Sequence, residues 1–215
     1  MEPGSIERLR RQGIRDERVL AAMEALDRGL FVPAAARPEA EEDRPIPIGH
    51  GQTISQPYVV AFMTEALGLT GRERVLEVGT GSGWQAALLA RLAAEVWSVE
   101  IVPELAARAA QALLGELGLG NLHLRVGDGR GGWPEAAPFD RILVTAAPAV
   151  LPVELLAQLA PGGRMVVPVG SQDAEAQLLQ IVERGAGGEL SVRSSIPVRF
   201  VPLTSVAPGS SAGVC

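Results

Sequence analysis

Three short patches carry side chains suited to ligand chemistry, and each follows an apolar run. "VGTGSG" places glycines at 79, 81 and 83, a G-x-G-x-G spacing. Glycine lets the backbone turn sharply and approach a ligand, and a helix starting there offers unpaired N–H groups. The dinucleotide fingerprint is G-x-G-x-x-G, so this turn alone is a weak signal and a purely structural turn competes with it. Glu100 closes "WSVE", 100 − 79 = 21 residues after Gly79. An acid at that offset stands at the tip of the next strand, where it can accept hydrogen bonds from both ribose hydroxyls; alone, it is equally a solvated strand-end carboxylate. Asp128, between Gly127 and Gly129, can accept from an adenine amino group; alone, it is an Asp-Gly turn. The three signals fall at successive strand ends, the edge where open α/β sheets bind ligands, and jointly they outweigh their separate bland readings. A fourth patch, "GHGQTISQPYVVAFM" (49–63), gathers Gln52, Thr53, Ser55, Gln56 and Pro57 just ahead of an amphipathic run. A polar turn and a site both account for that composition.

These patches need a frame. "RVLEV" (74–78), "EVWSVE" (95–100), "LHLRV" (122–126), "RILVT" (141–145) and "RMVVPV" (164–169) read as strands. Helical spacing predicts helices over 83–93, 103–117 and 152–160, and another that begins at Pro57. Segments 176–184 and 189–201 read as an antiparallel pair joined through "GAGG". Residues 6–30 read as two short helices broken near Gly13, and 31–47, rich in Pro and acid, as an extended connection. The expectation is an α/β fold with a Rossmann-like, mostly parallel sheet, helices on both faces, a late antiparallel hairpin and an N-terminal helical cap. Residues 1–204 are expected to form a single domain, followed by a loosely held tail over 205–215.

Composition excludes several chemistries. The chain has 215 residues, 47% hydrophobic and 20% charged, the profile of a soluble globular protein. All 19 basic residues are arginine, so Schiff-base and pyridoxal chemistry on a lysine amine are excluded. Cys215 is the only cysteine, and His50 and His123 have no carboxylate at metal-ligand spacing, so no metal site is expected. His50 reads as an exposed loop residue, and Trp97 and Trp133 as packing residues. A net charge of −6 argues against nucleic acid as the main partner. No run of about 18 apolar residues and no secretory pattern are present, so no membrane association and a cytoplasmic location are expected. A monomer is the expectation for oligomeric state.

"LEVGTGSG", "VE" at 99–100, "GDG" at 127–129 and "PGG" at 161–163 resemble class I S-adenosylmethionine-dependent methyltransferases. "DRPIPIGHGQTISQP", "APFDRILVTAA", "PGGRMVVPVG" and "VRFVPL" narrow the resemblance to the bacterial protein-L-isoaspartate O-methyltransferase family, over about Arg8 to Leu203. The Q-T-I-S-x-P segment is far more specific than the glycine turn. The resemblance implies methyl transfer from S-adenosylmethionine to the free α-carboxylate of L-isoaspartyl residues in damaged proteins and peptides, which starts repair through a succinimide. It further implies that Ser55, with Thr53, lies at the reacting centre. Thr53, Ile54 and Ser55 would bind substrate with Val201 and Pro202. Gln56, Tyr58, Glu77, Gly79, Gly81, Gly83, Glu100, Asp128, Gly129 and Thr204 would bind the cofactor, the segment 200–204 closing the site. Trp84 stands where many relatives have Tyr. The chemistry needs little more: a carboxylate is ionised at neutral pH and requires no general base, so hydroxyls that orient it suffice. Two alternatives remain: a methyltransferase of this fold acting on another carboxylate or small molecule, and a non-catalytic cofactor-binding module.

Overall fold

The computed structural model describes residues 1–205. Its frame is a seven-stranded sheet built from β3 (Arg74–Val78), β4 (Glu95–Glu100), β5 (Leu122–Val126), β6 (Phe139–Val144), β7 (Leu159–Val169), β8 (Gln177–Arg184) and β9 (Leu190–Val198), in the order β5-β4-β3-β6-β7-β8-β9. The strands from β3 to β7 run parallel, and β8 and β9 are antiparallel to their neighbours. This is the mostly parallel sheet with a late hairpin that the alternation predicts. The order reverses between β3 and β6, which opens a crevice at their carboxyl ends.

Alternate residues along the strands feed two cores. On one face Val75, Val96, Leu143 and Val166 pack with the helices α1 (Pro3–Arg11), α2 (Glu17–Glu24), α3 (Pro57–Leu67), α4 (Trp84–Leu92) and α5 (Pro103–Ala110). On the other face Leu76, Val78, Ile142 and Met165 pack with Leu155 of the short helix α6 (Val153–Ala157) and with Trp133. The N-terminal helices share the first core, as Ile6, Leu9, Leu20 and Met23 are all buried there.

Several expected elements differ in extent. The connection 31–47 is not extended: it follows a 3-10 turn at Arg28–Phe31, coils into a second at Ala34–Glu39 and runs into strand β1 (Ile46–Gly49). The Asp27 carboxylate starts the first turn by accepting the Gly29 N–H at 2.8 Å. The polar patch is itself a hairpin, β1 pairing with β2 (Gln52–Ile54) around His50 and Gly51. Both residues have positive φ, 53° and 70°, as a two-residue primed turn requires. The helix expected over 152–160 stops at Ala157, because Leu159 already pairs with Phe139. The helix expected over 103–117 passes into a π-helical turn at Gln111–Glu116.

Candidate active site

At the carboxyl edge of the sheet, the turn after β3 is forced close to the end of β6. The Gly79 backbone has φ 99°, and a Cβ there would lie 2.4 Å from Thr145 Oγ1. That hydroxyl donates to the carbonyls of Val78 (3.0 Å) and Gly79 (2.6 Å). At Gly129 a Cβ would sit 2.5 Å from Val78 Cγ1. Both positions therefore bring bare backbone to the edge of a cleft that they help to line. Glu100, 5% exposed, lies at the same edge. Its two oxygens accept the Gly81 N–H at 2.7 Å and the Val102 N–H at 2.9 Å. A carboxylate has about four lone-pair sites, so acceptor capacity remains for hydroxyl donors.

The hairpin supplies the opposite wall. Its alternation buries Ile46, Ile48 and Ile54, which leaves Thr53 exposed. Ser55 and Gln56 follow, and Pro57 opens α3 at a position where its missing N–H costs nothing. The Asp43 carboxylate accepts the Tyr58 N–H at 3.0 Å and fixes the entry to that helix. Among the described residues, the Thr53 and Ser55 hydroxyls bond to no protein group; Ser55 engages only through its carbonyl.

The third wall is a strap after β9. The Ala147 N–H donates to Val201 O at 2.8 Å and the Leu203 N–H to Ala147 O at 2.9 Å, so 201–203 lies beside the chain that leaves β6. Gln177 pairs with Val198 at the end of the β8–β9 ladder. Its side-chain amide continues that ladder, since Oε1 accepts the Phe200 N–H (2.6 Å) and Nε2 donates to Phe200 O (3.1 Å).

The cleft and a neighbouring groove meet along this strap. Thr53, Ser55, Thr145, Phe200 and Val201 line both. The groove continues past Pro45, Gln56, Val59, Glu175 and Arg199. Of the residues expected at the site, Thr53, Ile54, Ser55, Gly79, Gly81, Glu100, Gly129, Val201, Pro202 and Thr204 line the cleft, and Gln56 lines the groove. Glu77, Gly83, Asp128 and Tyr58 line neither. Asp128 is turned onto its own loop, where it accepts the Arg130 N–H at 2.9 Å and pairs with the Arg130 guanidinium at 2.7 Å. That guanidinium holds its carboxyl below the ordinary range. Gly83 lets α4 pack against the end of α5 and the π-helical turn that follows it, since a Cβ there would lie 3.2 Å from Ala109 Cβ and 3.1 Å from Leu113 Cδ1. Tyr58 packs against Phe62.

Glu77 is fully buried behind the turn. Ser98 Oγ bonds to its carboxyl and also lies 2.6 Å from Thr80 Oγ1, which ties the turn to the sheet. Burial, opposed by the Ser98 hydroxyl and reinforced by nearby Glu100, pushes this carboxyl up to about 8. Thr145, Trp84 and Gln85 line the cleft without having been expected there, and Phe200 lines it as part of the segment expected to close the site. The signal for Thr145 was its place at the end of the strand beside the glycine turn, on the far side of the sheet reversal.

The residues present fit an adenosyl cofactor. Bare backbone at Gly79 and Gly129 admits a ligand, and Glu100 supplies an anionic acceptor. Trp84 adds a buried indole N–H that has no protein partner among the described residues. Among those residues, no group of three or more His, Cys, Asp or Glu could hold a metal ion, and no helix is long and apolar enough to cross a membrane.

The profile of the family described as "Protein-L-isoaspartate(D-aspartate) O-methyltransferase" matches residues 4–207. A protein-L-isoaspartate O-methyltransferase of Anaeromyxobacter dehalogenans (strain 2CP-C) is 68% identical over 196 residues, 91% of this chain and 93% of that protein. One of Myxococcus xanthus (strain DK1622) is 57% identical over 202 residues, 94% of this chain and 95% of that protein. A solved protein-L-isoaspartate O-methyltransferase superposes with a TM-score of 0.83 at 28% identity, over 94% of this chain and 65% of that one. A Plasmodium falciparum structure of the same description, in complex with S-adenosyl-L-homocysteine, shares the fold with a TM-score of 0.81 at 24% identity, over 94% of this chain and 98% of that one.

Proposed function

The chain belongs to the protein-L-isoaspartate O-methyltransferase family, and from that premise we propose how its residues divide the work. The reaction is S-adenosylmethionine-dependent methylation of the free α-carboxylate of L-isoaspartyl residues, which starts their repair. The cofactor brings a methyl group on a sulfonium that is already a good leaving group. The cleft at Gly79, Gly81 and Gly129 holds it, with Glu100 accepting from its ribose hydroxyls. Glu77 acts from behind, keeping the turn in place through Ser98 and Thr80. The damaged peptide lies in the groove past Gln56, and its carboxylate meets Thr53 and Ser55 where groove and cleft join.

The observation that carries this reading is the shared wall. Residues 53, 55, 145, 200 and 201 line both hollows, so a carboxylate in one can approach a methyl group in the other. The hydroxyls of Thr53 and Ser55 donate to the carboxylate and orient it. The strap from Phe200 to Thr204 excludes water. No residue needs to take a proton, because the substrate carboxylate is already ionised. Alignment is the main contribution, and a displacement of about 1 Å can cost roughly a hundredfold in rate.

Isomeric peptides test this. An L-isoaspartyl peptide incubated with labelled S-adenosylmethionine should gain a base-labile methyl ester, and its L-aspartyl isomer should not. The two share charge and composition and differ only in where the free carboxylate lies. Equal labelling of both, or none of either by folded protein, would reject the assignment. Residues 1–204 act in this reading as one domain with a helical cap, cytoplasmic and monomeric, and the net charge of −6 makes nucleic acid an unsuitable partner. A dimer mass in solution scattering would overturn the monomer. Apart from Ser205, the tail lies outside the described residues.

A further inference from the structure

Arg28 is a fully buried arginine, 0% exposed, in a turn that reaches neither hollow. Burying a guanidinium is costly unless its donors are satisfied. Here four backbone carbonyls meet its two terminal nitrogens: Nη1 donates to Ala40 O (2.7 Å) and Glu42 O (3.2 Å), and Nη2 to Arg44 O (3.1 Å) and Ser55 O (2.9 Å), while the buried Nε has no partner among the described residues. Three of these acceptors belong to the coiled connection. The fourth belongs to Ser55, which lines both the cleft and the groove. The guanidinium also lies 5.0 Å from the centre of the Trp84 ring, and Trp84 is the first residue of α4 and lines the cleft. One side chain thus touches the loop that faces the substrate and the helix that follows the cofactor turn.

We propose that Arg28 is a positioning residue for methyl transfer, holding the main chain of Ser55 so that its hydroxyl stays fixed relative to the cleft. The geometry suits arginine and not lysine. A planar fork with separated donors spans the Ser55 carbonyl and the three carbonyls of the connection while lying over an indole, whereas an ammonium is a point charge on a flexible stem. Burial lowers the guanidinium to about 10, still cationic at neutral pH, so the bonds to all four carbonyls remain charge-assisted.

The inference rests on the orienting role of Ser55, and a double-mutant cycle separates the two. R28K, R28Q, S55A and the combined variants are compared for kcat on an isoaspartyl peptide, for Kd of S-adenosylhomocysteine by titration calorimetry, and for fold by circular dichroism at reduced temperature. R28K is expected to lower kcat about tenfold or more while Kd changes by less than about twofold. In the S55A background the same substitution should cost less than about twofold, because the group it positions is gone. A merely structural arginine would lower kcat by the same factor in both backgrounds, and that result overturns the proposal. So would an unchanged kcat in folded R28K, or the failure of both R28K and R28Q to fold. Full turnover by S55A alone would reject the role of Ser55, which is a different result from equal losses on an impaired S55A enzyme.

Discussion

Glu100 and Asp128 show how neighbours decide what an acid can do. Both sit at strand ends, and both are expected from spacing to face a ligand. Among the described residues Glu100 meets only backbone donors, Gly81 and Val102, and it lines the cleft. Asp128 is held by Arg130, two residues further on, and does not. The pattern "GDGR" contains both partners, but spacing cannot say that the guanidinium folds back over the turn. Glu100→Ala is expected to weaken cofactor binding by about 1.5–3 kcal/mol, the scale of lost charge-assisted hydrogen bonds. Calorimetric titration checks it; unchanged affinity in a folded variant would remove Glu100 from the ribose site. Ser55 and Thr53 were legible for another reason. Their hydroxyls sit in a polar stretch inside an apolar chain, and the hairpin that lifts Thr53 clear of the core buries an isoleucine on either side of the turn.

At the scale of elements, the site depends on two pieces that periodicity reads poorly. The β1–β2 hairpin is short, and its turn signal is His50-Gly51, where Asn-Gly would have announced a primed turn. The strap has no helix or strand of its own. Beside its backbone bonds to Ala147, it is held by Gln177, whose amide supplies one acceptor and one donor beyond the β8 backbone and grips Phe200. A glutamine at the start of a strand reveals nothing of this from sequence alone. Gln177→Ala leaves the buried Phe200 N–H without its partner, a loss of about 1–3 kcal/mol. Because Phe200 lines both hollows, cofactor and peptide should both bind more weakly, and S-adenosylhomocysteine should leave faster in stopped-flow measurements. A release rate equal to that of the parent protein would show that the strap is held elsewhere. The strands of the sheet were legible because buried runs of β-branched residues alternate with helical spacing; their boundaries shifted where a pairing partner, as Phe139 for Leu159, claimed residues from a helix.

For the molecule as a whole, the sheet carries a latent charge. Glu77 lies fully inside it, with its carboxyl pushed from 4.5 to about 8 by burial. The folded state therefore keeps a proton that the unfolded chain releases. That contribution to stability is fully present below about pH 4.5 and is lost as pH rises towards about 8. Glu77→Gln keeps a neutral side chain of the same shape and does not titrate. Its melting temperature relative to the parent protein should therefore rise between about pH 5 and about pH 8. A difference independent of pH would mean that Glu77 is already ionised in the fold.

The walls of the cleft come from distant stretches of chain: 52–55 from the hairpin, 78–82, 84–85 and 99–101 from the middle, and 200–204 from the strap. A ribosome makes them in that order, and the sheet can assemble from its earlier strands before the strap exists. Enzymatic competence therefore cannot grow gradually during synthesis. A nascent chain that has emerged only as far as Val198 possesses the glycine turn, Glu100 and Ser55, yet has no Phe200 for Gln177 to hold and no cover over the reacting atoms. On the proposed role of the strap, activity is expected to switch on late, when the residues through Thr204 leave the exit tunnel and seat beside Ala147.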